Sequence, residues 1–83
     1  MLLPEKIVLQ RFPEFNYAIV WFPENKYSPF VAVWHLNEDD PDNIYWSQGH
    51  YFGSLIECAK FVEQKEYEYR LAMSLMEGVN HDA

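Results

Sequence analysis

Apolar residues in the first two thirds of the chain fall in short β-branched and aromatic runs; in the last third they recur at helical spacing. The first run, about Lys6 to Arg11, predicts a strand through Ile7, Val8 and Leu9, although Pro4 could open a short helix. Pro13 ends it. "NYAIVWF" (Asn16 to Phe22) and "FVAVWHL" (Phe30 to Leu36) predict two strands. "PENKYSP" (Pro23 to Pro29) between them reads as the long loop of an antiparallel hairpin. "NEDDPDN" (Asn37 to Asn43) is polar and contains Pro41, so it reads as a loop. "IYWSQ" (Ile44 to Gln48) predicts the next strand, with a continuation through His50 to Phe52. Gly49 inside that pattern suggests a bulge or a turn.

Alternation assigns the faces. Tyr17, Ile19 and Trp21 point one way, and Ala18, Val20 and Phe22 the other. Phe30, Ala32, Trp34 and Leu36 oppose Val31, Val33 and His35. Both faces of the sheet are apolar, whereas a sheet with one wet face alternates with polar residues. A single helix covers one face. The other is expected to be a sticky aromatic surface, covered by the N-terminal segment or by a partner. Trp21, Trp34 and Trp46, from three successive strands, are expected to cluster across the sheet.

Ser54 followed by Glu57 forms a capping box and predicts a helix from Leu55 to about Glu77. Gly78 stands where a C-cap glycine belongs. Leu55, Cys58, Ala59, Val62, Tyr69, Met73 and Met76 share one side at helical spacing, with Glu66 interrupting them. Phe61, Leu71, Ala72 and Leu75 lie well round the cylinder. The C-terminal half is therefore greasy on two sides. Either the helix bends near Gln64 and Lys65, or its second side meets another chain. The fold class that follows is α+β: an antiparallel meander of three or four strands and one long C-terminal helix on one face, in a single domain spanning residues 1–83.

Composition narrows the function. Eighty-three residues bury little more than half of their unfolded surface, so fifteen aromatics exceed what one small core needs. Thirteen acids against six bases give a net charge of −7, which repels nucleic acid and anionic membranes. No apolar stretch approaches the ~20 residues of a bilayer span. Cys58 is the one cysteine, no secretory signal is visible, and a cytoplasmic protein is expected.

Candidate chemistry is thin. Counting a calcium loop from Asp40, Asp42 fits, but Ile44, Tyr45 and Tyr51 fail the later ligand and glycine positions. A lone cysteine with scattered histidines is not a zinc set. Cys58 lies where a helix dipole could activate a thiol, with His35 and His50 as possible bases, yet it falls on the inner stripe and reads as buried. His35 alternates with Val31 and Val33 and reads as a surface or partner-facing residue; His50 reads as a turn residue and His81 as part of a tail. The three glycines are isolated, so there is no phosphate loop. No enzyme activity, metal or cofactor is expected.

Protein recognition remains. Glu38, Asp39, Asp40 and Asp42 in the loop, and Glu63, Glu66 and Glu68 on the helix, could together imitate a phosphate backbone against a basic nucleic-acid-binding protein. Trp34, His35, Leu71 and Leu75 are further candidate partner contacts. In size, charge and aromatic density the chain resembles small acidic inhibitors of phages and mobile elements, including anti-CRISPR and anti-restriction proteins. That resemblance implies a non-enzymatic inhibitor of a basic nucleic-acid-handling partner. The alternative is an accessory protein that forms a homodimer through its aromatic sheet face or helix, with acidity serving only solubility.

Overall fold

The structure, a computed structural model, describes residues 5–81, and their side chains as far as Gly78. Pro4 lies outside the described residues. Strands β1 (Ile7–Phe12), β2 (Tyr17–Trp21), β3 (Phe30–Trp34) and β4 (Gln48–Phe52) form one antiparallel sheet in meander order. Helix α1 (Leu55–His81) follows and packs on one face, so the fold is α+β as the pattern predicts. A 3₁₀ turn, Pro13–Phe15, joins β1 to β2 and places Phe15 in the core beside α1. Asn16 closes that turn at φ 61°, a left-handed conformation that asparagine tolerates better than most residues.

Alternation in β2 and β3 divides the core into two layers. Ile19 and Ala32 meet Phe15, Cys58 and Val62 under the helix, flanked by Tyr17, Phe30, Phe52, Phe61 and Tyr69. Ala18, Val20, Val31 and Val33 form the second layer on the opposite face. The three valines are fully buried, a contribution of about 1.5–3 kcal/mol each.

The segment after β3 covers that second layer. His35 takes φ 57° and stacks on Trp34, with ring centroids 3.7 Å apart. This left-handed residue ends the alternation. Leu36, expected on the Trp34 side, turns onto the Val20 side, and His35 leaves the Val31–Val33 row. Residues 36–46 then run as a strap, to which Leu36, Ile44 and Trp46 contribute the apolar contacts. The face expected to be covered by the N-terminal segment or a partner is thus covered by this strap, and the N-terminal segment joins the sheet as β1.

The strap also corrects the strand expected at Ile44 to Gln48. Only its continuation, Gln48–Phe52, joins the sheet; Tyr45 makes a single bridge to Asn37, and Ile44, within the strap, is buried against the second core layer. Gly49 is neither bulge nor turn. It pairs with Val33, and a Cβ there would meet Trp46 Nε1 at 2.8 Å. The glycine leaves the space in which the indole lies. His50 likewise sits in β4, 4.5 Å from the Phe61 ring centroid, rather than in a turn. The three tryptophans do not line up: Trp21 pairs with Phe30, Trp34 with Tyr17, and Trp46 packs against Phe22.

Helix α1 begins as the capping motif predicts, with the Glu57 N–H donating to Ser54 Oγ at 3.2 Å. It does not end at Gly78, which stays helical; a Cβ at that position would meet nothing within 4 Å.

Candidate interaction surface

Helix geometry decides which side chains are left for a partner. At 1.5 Å per residue the 27 residues of α1 span about 40 Å, while a five-residue strand spans about 17 Å. The helix must overrun the sheet. The molecule measures 59 Å along its longest axis but only 27 and 17 Å across the others. Burial follows the same division. Cys58 and Val62 are buried, and Phe61, Lys65 and Tyr69 are half-buried; from Arg70 to Gly78 every residue is exposed.

The inner stripe is turned from its expected phase by about 40°. Leu55 and Ala59, expected inside, are exposed. Phe61, expected on the second side, packs on Tyr17, His50 and Phe52. Lys65 lies along it with its ammonium 5.3 Å from the ring centroid. Past Tyr69 the stripe continues as Ala72, Met73 and Met76 with no sheet beneath it. Met73 and Met76 are 40% and 58% exposed, and Leu71 and Leu75 on the adjoining side are 47% and 63% exposed.

The predicted acidic residues separate into two groups. Glu63, Glu66 and Glu68 lie on α1. Glu66 is half-buried and accepts from Arg70 at 3.3 Å, and Glu68 pairs with Lys65 at 3.7 Å; Glu63 is exposed. Glu38, Asp39, Asp40 and Asp42 belong to the strap, on the other face of the sheet. The seven are thus carried by two separate elements.

The strap acids also have local structural partners. Arg11 holds Glu38 through two parallel hydrogen bonds, Nε to Oε2 at 2.8 Å being one of them. That bond holds the Glu38 carboxyl below its usual range and raises the guanidinium. Asn37 Oδ1 accepts from the Asp39 N–H, and Asp40 Oδ1 from the Asp42 N–H. The Asn43 N–H closes a turn on the Asp40 carbonyl, with Pro41 at its favoured second position. Lys6 Nζ donates to the Ile44 carbonyl at 3.0 Å and sits 5.2 Å from the Trp46 ring centroid. Arg11 in β1 and Lys6 just before it thus pin the strap near both of its ends.

Among the described residues no three His, Cys, Asp or Glu side chains converge as metal ligands. Burial pushes the Cys58 thiol up to about 11, so it stays protonated near neutrality. No described helix is long and apolar enough to cross a membrane. Trp34 is half-buried and His35 exposed, stacked together at the end of β3, whereas Leu71 and Leu75 belong to α1. Pattern reading singled out Leu71 and Leu75 but assigned Met73 and Met76 to the core; comparing helix length with strand length would have placed them outside it. No protein-family model matches the chain, and neither a curated protein nor a solved structure is significantly similar to it.

Proposed function

We propose that this protein is a non-enzymatic, cytoplasmic protein-binding module that docks through the projecting half of α1 and occludes a basic partner of the nucleic-acid-handling kind. The projecting segment carries the reading. Sheet and strap complete the fold without Leu71, Met73, Leu75 and Met76, and a folded monomer rarely keeps contiguous apolar side chains in water without a use for them. The net charge of −7, with Glu63, Glu66, Glu68 and Glu77 bordering the segment, favours a basic partner and speeds encounter with it. The small acidic inhibitors that the chain resembles in size and charge act by such occlusion.

The test is capture from host lysate by the wild-type chain and by Glu63→Lys with Glu68→Lys. The expected result is a basic protein retained by the wild type, released by salt and lost from the variant, because exposed charges are screened over about 8–10 Å near physiological salt. Identical capture by both chains, insensitive to salt, would overturn the reading.

A further inference from the structure

We infer that the projecting half of α1 receives a basic amphipathic helix of its partner, an inference that rests on the reading above. By helix geometry Met73, Met76, Ala72, Leu75 and Leu71 follow one another round an arc of about 200°, each within about 60° of the next. An arc that wide, on a segment exposed from Arg70 to Gly78, matches the apolar face of another helix at i, i+3 and i+4 spacing. Methionine side chains adapt to such a partner without a fixed shape. Charge selects its kind. From Glu63 to Gly78 there are Glu63, Glu66, Glu68 and Glu77 against Lys65 and Arg70. Both of those bases already face an acid: Lys65 lies 3.7 Å from Glu68, and Arg70 lies 3.3 Å from Glu66 and 3.9 Å from Glu14. A second copy would bring the same acids and another −7 to the contact, whereas lysines and arginines flanking an apolar face would complement it.

The probe is a Leu–Lys peptide of about 18 residues, or five turns, patterned as an amphipathic helix. It is titrated into the full isotope-labelled chain at physiological salt, beside a Leu–Glu peptide of the same pattern. Binding should move the amides of residues 66–78, and the Leu–Glu peptide should bind at least about tenfold more weakly. Met73→Glu with Met76→Glu is the deciding variant. It adds negative charge, so attraction by charge alone would strengthen binding; an apolar seat requires a loss of about tenfold or more. Both positions are exposed, and unchanged sheet amides establish that the variant is folded.

No binding of the Leu–Lys peptide, shifts centred on Asp39, Asp40 and Asp42, or tighter binding by the variant would each overturn the inference. So would a wild-type chain that sediments as a dimer and a variant that sediments as a monomer. Failure here is separable from failure of the functional reading. If the peptide does not bind but the lysate partner is still lost from Glu63→Lys with Glu68→Lys, the partner is basic and not helical.

Discussion

Trp46 and Gly49 show how one missing side chain positions another. The indole lies where a Cβ on Gly49 would be, with Val31 Cγ1 3.2 Å away on the same side. Gly49→Ala must displace the ring, and with it part of the cover over Val31 and Val33. A loss of about 1–3 kcal/mol is expected, the usual cost of overpacking, with a changed tryptophan emission in the folded state. An unchanged denaturation midpoint would place Trp46 elsewhere. Glu38 allows a second test. Its folded pKa is depressed, so its contribution is present above the ordinary carboxylate range and is lost as pH falls through the folded value. Glu38→Gln should therefore be less stable than wild type at neutrality, by no more than about 1 kcal/mol because the pair is solvent-exposed. The difference should close below about pH 4 and shrink in salt. A pH-independent difference would assign it to packing rather than charge.

The elements differ in how plainly the residues announce them. β2 and β3 are almost wholly β-branched and aromatic, and the structure has both within the predicted ranges. The start of α1 was legible because the capping serine is a local signal. Ser54→Ala should lower stability by about 0.5–2 kcal/mol in urea unfolding, and no change would mean the cap is idle. β4 was misplaced because Ile44, Tyr45 and Trp46 have stronger strand propensity than Gln48, Gly49 and His50. Tertiary packing decided otherwise, since Ile44 and Trp46 are needed as cover, Tyr45 stays exposed, and His35 had already turned the chain. The helix phase was misjudged for a related reason. Leu55 and Ala59 are apolar but face outward, while Phe61 and the stem of Lys65 do the covering; apolar identity alone does not reveal where the sheet lies. Gly78 marks no end, because a glycine caps a helix only where the chain must turn left-handed, and here φ stays negative.

At the scale of the whole molecule, the apolar surplus has two destinations. One part became the second core layer under the strap, and the acidic loop belongs to that strap: Arg11 of β1 and the preceding Lys6 pin it, and Leu36, Ile44 and Trp46 cover a sheet face. The other part projects on α1, clear of the sheet. The acids divide between the same two elements, Glu38, Asp39, Asp40 and Asp42 in the strap and Glu63, Glu66 and Glu68 on α1. Of the candidate contact residues, Leu71 and Leu75 lie with Glu63, Glu66 and Glu68 on one element, and Trp34 and His35 do not. The central claim is that this half of α1 serves binding and not folding. The most direct test measures both properties in Leu75→Ser with Met76→Ser: urea stability, and retention of the partner captured by the wild type. Stability within about 0.5 kcal/mol of wild type, as for surface substitutions, together with loss of the partner is the expected result. A fall of about 2 kcal/mol or more, with the partner still retained, would contradict it and place these residues in a core.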